Sequence, residues 1–321
     1  MGGYAKGFVD AALGESFYEK GLDNYQVLMH LTKAQLDSQE DGKIEITFAA
    51  VGLQVRLNLV LGEMSHAKRL LSGFEEQVKA RNAQQLVSNL EALKCRVALY
   101  SGDREQVEAW LREKAPDESK EFCTLERYRY LTKLRCYIIC ADYAEAVSLI
   151  GLLRVYADKS KRTYIQMELG LLESVIRYRL KQSWKELLIR TLLRIAEYRF
   201  VRLISEEGAL VYPLLKEIEK DRPKYPDLPE KWFQQVLREA KFMAARYPAY
   251  GGIRAISPID FRPAQLQVLR MQADGKTQKE IADALDVTLR TVKYYAAENY
   301  RKLGAAGKTD AVQKARSLNL I

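Results

Sequence analysis

The sequence predicts an all-α protein: a helical-repeat superhelix followed by a compact unit of four short helices. Three observations predict it. Helix-turn-helix units recur about every forty residues through the first 210 positions. Only Pro116 precedes position 213, and the other seven prolines crowd into positions 213–263. Proline removes a donor and clashes inside a helix, so long helices fit the first part and broken chain fits 221–263. The last sixty residues carry helix start and stop signals at short intervals.

The repeat shows in five stretches: FYEKGLDNYQVLMHL, LVLGEMSHAKRLL, ALYSGDREQVEAWL, YIICADYAEAVSLI and YRLKQSWKELLIRTL. Each reads as an apolar helix end, a small or polar turn, then an amphipathic helix. The turns fall at Gly21, Gly62, Gly102, Ala141 and Gln182, with separations of 41, 40, 39 and 41. A constant period near forty, filled by two antiparallel helices, marks a solenoid.

A column of arginines keeps the register. Arg56, Arg96 and Arg135 stand six residues before their turns and Arg177 five before Gln182; Glu15 breaks the column in the first repeat. Repeats place equivalent residues in a row on one face. Two readings stand. Each arginine pairs with a nearby glutamate or packs its stem between helices, or the four form a basic ladder toward an effector or protein partner. The aromatic, arginine-rich ERYRYLTKLRCY (126–137) is open in the same way, to a ligand groove or to core packing.

After position 220, DRPKYPDLPEKW is turn-rich, one helix follows at about 230–246, and YPAYGGIRAISPIDFRP reads as a linker. The expected domains are a repeat domain at 1–220, a proline-rich linker with one helix at 221–258, and the four-helix unit at 259–321.

Composition narrows the function. The chain has 321 residues, 48% hydrophobic and 29% charged, with a net charge of +9. Residues 261–321 hold 11 Lys/Arg against 6 Asp/Glu, while the preceding 260 residues carry a net of only +4. Such concentration is a footprint of nucleic-acid binding. No run of about 18 apolar residues stands out, so no membrane span is expected, and MGGYAKGFVDAALGE does not read as a signal peptide. Cys95, Cys123, Cys136 and Cys140 form no CxxC pair, and His30 and His66 are the only histidines. Zinc-ligand spacing is therefore missing. Cys136 and Cys140, four apart on an apolar helix, read as small buried hydrophobes in a reduced, cytoplasmic compartment.

One segment imitates a nucleotide site. LGAAGKTDAV (303–312) contains Gly-Lys-Thr, but two residues separate Gly304 from Gly307 where a phosphate loop needs four. The preceding TVKYYAAENYRKL reads as a helix, whereas a phosphate loop follows a strand. The segment is better read as a helix stop at Gly304 and the start of another helix after Gly307. No cofactor, metal or catalytic group is expected.

The C-terminal punctuation is explicit. Pro263 suits the first turn of a helix ending near Asp274-Gly275. Thr277 and Glu280 form a capping-box pattern, with Ile281, Ala282 and Leu285 as the apolar stripe behind it. Thr288 can cap the next helix, which runs to about Leu303. On that helix Val292 and Leu303 face inward. Arg290, Lys293, Tyr294, Ala297 and Arg301 share the opposite face by i,i+3/i+4 spacing. Two helices on a short turn, the second basic, point to a helix-turn-helix DNA reader. Arg290, Lys293, Tyr294 and Ala297 are the candidate base-facing residues. Lys276, Thr277, Lys279, Thr288, Thr291, Arg301, Lys302 and Lys308 are candidate phosphate contacts.

This segment resembles the LuxR-type (GerE-like) helix-turn-helix. The resemblance rests on Gly275, on Lys279–Ala282 (Lys-Glu-Ile-Ala), on Thr291–Lys293 (Thr-Val-Lys), on YRKLG and on the closing DAV…A…LI. It implies that Lys293, Tyr294 and Ala297 face bases and that the last helix supports a homodimer. Gln265 and Gln267 stand where that family has a glutamate pair, Tyr295 replaces a histidine, and Asn299 replaces an isoleucine. Asn299 must find a partner or the helix end must be exposed, because an unpaired buried amide costs ~1–3 kcal/mol. LISEEGALVYPLLKEI, followed by a second short helix and the DNA reader, resembles the end of large MalT-like regulators, and ADYAEAVSLIGLLRVYADKSKRTYIQMELGLL resembles their tetratricopeptide-like (TPR-like) sensor region. Those carry an N-terminal ATPase; this chain reads either as a short regulator or as a C-terminal fragment.

The expectation is thus a TPR-like superhelix plus a LuxR-type domain, acting on double-stranded DNA as a regulator, an activator by resemblance. An unknown effector or protein would occupy the repeat domain. The protein would be cytoplasmic, associated with the bacterial nucleoid when bound, and not an enzyme. The alternatives are a protein-interaction scaffold whose DNA reader is weak, motivated by Tyr295 and Asn299, and a nucleotide-driven switch in a longer form.

Overall fold

The computed structural model describes residues 6–40, 43–119, 122, 126–251, 261–303, 305, 307–317 and 321; among them every regular element is a helix. Ten helices form five antiparallel pairs: α1 (Phe8–Glu19) with α2 (Asn24–Glu40), α3 (Ile44–Leu61) with α4 (Met64–Ala80), α5 (Gln84–Ser101) with α6 (Arg104–Glu113), α7 (Arg127–Cys140) with α8 (Tyr143–Lys159), and α9 (Thr163–Arg179) with α10 (Lys185–Glu197). From α3 onward the first helix of each pair is buried round most of its circumference, and the second buries only a stripe. The first helices therefore line the inner face of the stack. This is the two-layer solenoid that the period predicts.

All five pairs turn alike. The N–H groups of Leu22, Glu63, Asp103, Asp142 and Gln182 donate to the carbonyls of Phe17, Asn58, Ala98, Tyr137 and Arg177 at 2.8–3.1 Å. The residue before each donor has positive φ: Gly21, Gly62, Gly102, Ala141 and Lys181. This 6→1 bond with a left-handed residue is the Schellman end of a helix. The fifth turn thus centres on Lys181, one residue before the expected Gln182. Position 175, a valine, is therefore the fifth member of the arginine column, and Arg177 falls on another face.

After the pairs come α11 (Arg202–Ser205), α12 (Gly208–Lys220), α13 (Glu230–Arg246) and a 3-10 turn at Pro248–Gly251. The described part of the expected linker, 221–251, is no linker. Phe233, Val236, Ala240 and Met243 are buried in the same core as the repeats. Trp232 Nε1 donates to the Phe200 carbonyl (3.0 Å) and Tyr247 Oη to the Leu59 carbonyl (2.7 Å). The prolines end helices here without separating domains. Residues 252–258 of that expected linker lie outside the described residues.

Helix α13 and the turn after it run along the row of repeat turns. A Cβ on Gly62 would lie 2.8 Å from Arg246 Nε, and one on Gly102 would lie 2.5 Å from Ala249 Cβ. Glycine there answers two needs, positive φ and close approach. Ala141 and Lys181, at the last two turns, are exposed and carry side chains.

Helix α3 corrects one expectation. It is 18 residues long with a mean hydropathy of 1.5, enough to cross a membrane by length and composition, though none was expected. Its setting is that of an inner solenoid helix: half of it is buried, and its Arg56 is held by two glutamates. Cys95 and Cys136 are buried on α5 and α7 with sulfurs 3.5 Å apart, and Cys140 is half-buried. Cys123 lies outside the described residues.

The C-terminal unit comprises α14 (Pro263–Ala273), α15 (Gln278–Leu285), α16 (Leu289–Leu303) and α17 (Lys308–Ser317). Val268, Ile281, Val292 and Ala296 form one part of its core; Phe261, Leu269, Ala311 and Ala315 form the other.

Candidate nucleic-acid interface

The helix-turn-helix consists of α15 and α16. Thr277 accepts from Glu280 N–H (3.3 Å) and Glu280 Oε2 accepts from Thr277 N–H (2.7 Å), a complete capping box. That N–H bond holds the Glu280 carboxyl below its usual range. Asp286 takes positive φ at the turn, and Thr288 Oγ1 accepts from Thr291 N–H at 3.2 Å. Both caps are the ones the sequence indicates. They fix where each helix begins and so which residues of α16 point outward.

Outward stand Arg290, Lys293, Tyr294 and Ala297, all exposed; inward stand Val292, Ala296 and Asn299, all buried. From Arg290 to Arg301 the face is ~16 Å long at ~1.5 Å per residue. Arg290 and Lys293 have no ion-pair partner among the described residues. Lys276 and Lys279 flank them, exposed and likewise without an ion pair.

The other candidate phosphate residues are engaged. Arg301 pairs with Glu298 (3.0 Å). Lys302 Nζ donates to Gln265 Oε1 (2.8 Å) and lies over the Phe261 ring. Lys308 Nζ donates to the Lys276 carbonyl (3.2 Å), which ties α17 to the start of the reader. Thr288 and Thr291 hydrogen-bond to each other at 2.9 Å.

The departures from the resembled family are accommodated. Asn299 is fully buried; its Nδ2 donates to the Gln265 carbonyl at 2.9 Å, while its Oδ1 has no partner. Gln265 Oε1 accepts from Arg262 N–H (3.0 Å) at the start of α14, besides accepting from Lys302. Tyr295 is half-buried and packs against the core of the unit.

The arginine column has a different setting. Arg56, Arg96 and Arg135 converge on Glu206 and Glu207, just before α12. Arg56 grips Glu206 (2.7 Å) and Glu19 (2.9 Å); Arg96 bonds Glu207 (2.7 Å) and Tyr250 Oη (2.8 Å); Arg135 bonds Glu207 (2.7 Å) and Glu168 (2.6 Å). Tyr18 Oη donates to Glu206 (2.6 Å), Tyr164 Oη to Glu19 (2.9 Å) and Tyr250 Oη to Glu207. Burial pushes the Glu207 carboxyl up, but Arg135 and Arg96 outweigh it and bring it to about 2. Glu19 has only a share of Arg56, so burial, with Glu206 beside it, pushes its carboxyl up to about 7. The column's charge is thus matched inside the chain, and these residues form no open basic ladder. Arg177 stands apart, paired with Glu173 (2.6 Å) at a half-buried site. Sequence reasoning found the column but missed its acceptors, because Glu206 and Glu207 lie 70 to 150 residues away in sequence.

Comparison with known proteins follows the same division. Residues 263–315 match the family described as bacterial regulatory proteins, luxR family. The chain is 43% identical over 79 residues to the HTH-type quorum sensing-dependent transcriptional regulator RpaR of Rhodopseudomonas palustris, covering 23% of this chain and 32% of that protein. It is 23% identical over 288 residues to the HTH-type transcriptional regulator MalT of Klebsiella pneumoniae, covering 84% of this chain and 31% of MalT. It is 38% identical over 63 residues to the transcriptional activator protein PhzR of Pseudomonas fluorescens, covering 20% of this chain and 26% of PhzR. The chain spans about a third or less of the length of these curated relatives. No solved structure matches it.

Proposed function

We propose that this chain, a MalT-like helical-repeat protein ending in a LuxR-type helix-turn-helix domain, regulates transcription by binding double-stranded DNA. One observation carries the reading. On the second helix of the reader, Arg290, Lys293, Tyr294 and Ala297 form an exposed row, and its cations are committed to no ion pair among the described residues. Arginine and lysine read guanine O6 and N7 in the major groove, and the small Ala297 lets the helix sit deep. Tyr294 meets a base or a phosphate. Lys276, Lys279 and the capped starts of α15 and α16 hold phosphates; Thr277, Thr288 and Thr291 lie at those starts. Arg301, Lys302 and Lys308 contribute after exchanging their internal partners.

Two copies, paired through their C-terminal domains, would span half-sites ~34 Å apart. The repeat domain senses an effector or protein, and its differential binding to two assembly states supplies the switch. Similarity to the transcriptional activator protein PhzR favours activation. The protein acts in the cytoplasm, on the nucleoid when bound, and its role is binding rather than catalysis.

The test is polarization of labelled duplex DNA by the full chain and by Arg290→Glu/Lys293→Glu. The expected result is at least about tenfold weaker binding by the variant, with a shallower salt dependence. Undiminished binding by the variant refutes the assigned face. Absence of DNA binding by either protein leaves the interaction-scaffold reading in its place.

A further inference from the structure

We infer that a cleft on the inner face of the repeats binds a small polyanion, a metabolite bearing phosphate or several carboxylates. The site deepens the reading above, on which its role as effector site rests. The cleft holds about 600 Å³ and is lined from α1, α3, α5, α7, α9 and α11. That volume suits a small molecule.

Its floor and its mouth differ in charge. On the floor, Arg56, Arg96 and Arg135 are neutralised by Glu206, Glu207, Glu168 and Glu19. At the mouth stand Arg127, Lys161 and Arg162, and none has an ion-pair partner among the described residues. Among the described lining residues, Glu15 is the one acid outside those floor pairs. Three cations gathered around one opening, without acids to match them, attract a multiply charged anion.

Two helix starts add to this. Arg127 and Tyr128 begin α7; Thr163, Tyr164 and Ile165 begin α9; all five line the cleft. Neither start is capped by a side-chain hydrogen bond and neither helix has an acid in its first turn, although Glu126, paired with Arg129, stands at the N-cap of α7. By contrast Asp103 caps α6 and Thr277 caps α15. Uncapped first turns present N–H donors and the positive end of the helix dipole. Tyr128 also lines the cleft, with its hydroxyl beneath the surface and without a hydrogen-bond partner among the described residues. Leu131, Ile165 and Leu203 offer apolar wall for a carbon body. A bound polyanion would place new negative charge beside Glu206 and Glu207, the residues that hold α12 in the groove.

The test is calorimetric titration of the full chain with inorganic pyrophosphate and, separately, citrate. Wild type is compared with Arg127→Ala/Arg162→Ala and with Lys293→Ala; DNA binding is measured on the same preparations. Saturable binding of either probe below about 10 mM is expected. It should weaken at least about tenfold in the rim variant and stay unchanged in Lys293→Ala. Preference for pyrophosphate identifies a phosphorylated ligand, and preference for citrate a carboxylated one. If the double variant melts early, Lys161→Ala serves in its place. No binding of either probe, or binding that responds to Lys293→Ala and not to the rim, overturns the site. Intact DNA binding with no anion binding sinks this inference alone; the converse sinks the regulator reading alone.

Discussion

Glu207→Gln probes how α12 is held against the inner helices of the repeats. Glu207 is 1% exposed and carries both Arg96 and Arg135. The fall of its carboxyl from the ordinary 4.5 to about 2 corresponds to ~3 kcal/mol of preferential stabilisation of the charged form. Breaking a buried pair on one side costs ~3–5 kcal/mol, because the partner charge stays buried. The two figures agree. Arg135 keeps Glu168, but among the described residues Arg96 keeps the Tyr250 hydroxyl and the ring faces of Tyr100 and Tyr250, with no carboxylate. Urea unfolding followed by circular dichroism should show a loss of ~3 kcal/mol in the repeat transition, or a drop of roughly 6–12 °C in its midpoint for a body of this size. Removing both charges, as Glu207→Leu with Arg96→Met, should recover most of the loss. A loss below ~1 kcal/mol in Glu207→Gln, or a double variant as unstable as the single, would refute the view that this ion cluster fastens α12.

The same cluster sets a pH dependence of two signs. Glu207, with its folded value lowered, contributes stability that is full above pH ~4.5 and lost as pH falls through about 2. Glu19, raised to about 7 and faced by Arg56, Glu206, Tyr18 and Tyr164, keeps in the fold a proton that the unfolded chain has shed. Stability should therefore decline as pH rises from ~4.5 through 7, and Glu19→Gln should flatten that decline in a pH series of urea midpoints. Ala141→Gly relieves a left-handed alanine at an exposed turn and should raise the repeat midpoint by the equivalent of ~1 kcal/mol; no gain would mean the turn relaxes at no cost. Thr277→Ala removes the capping box of α15 and should cost the C-terminal unit ~1 kcal/mol, read by hydrogen exchange on α15.

Local signals were legible in the sequence. The turns at Gly21, Gly62, Gly102 and Ala141, the caps at Thr277 and Thr288, and the outward row on α16 all follow from spacing and short-range hydrogen bonding. Long-range pairing was not legible. Nothing in the order of residues says that Arg56 meets Glu206, 150 positions away, and burial of that pair turns an apparent ladder into an internal latch. The fifth turn slipped by one because lysine, not glycine, takes the left-handed position at 181. Pro223 and Pro248 fall just past the ends of α12 and α13, but Pro213 sits inside α12, and a linker and a buried helix between two prolines look alike until the amphipathic face of α13 is matched to the core it joins. Of the cleft, the arginine column that forms its floor and the aromatic and arginine-rich start of α7 carried a hint; Lys161 and Arg162 at its mouth did not.

The most direct measurement is selection of the full chain against a randomised duplex pool, in parallel with Lys293→Ala. The wild type should enrich a motif, with paired half-sites for a dimer. Lys293→Ala should show relaxed preference at one or two positions, worth ~1–3 kcal/mol per site. The same motif from both proteins, or no motif and only steeply salt-dependent binding, would contradict the claim that the exposed row on α16 reads DNA sequence.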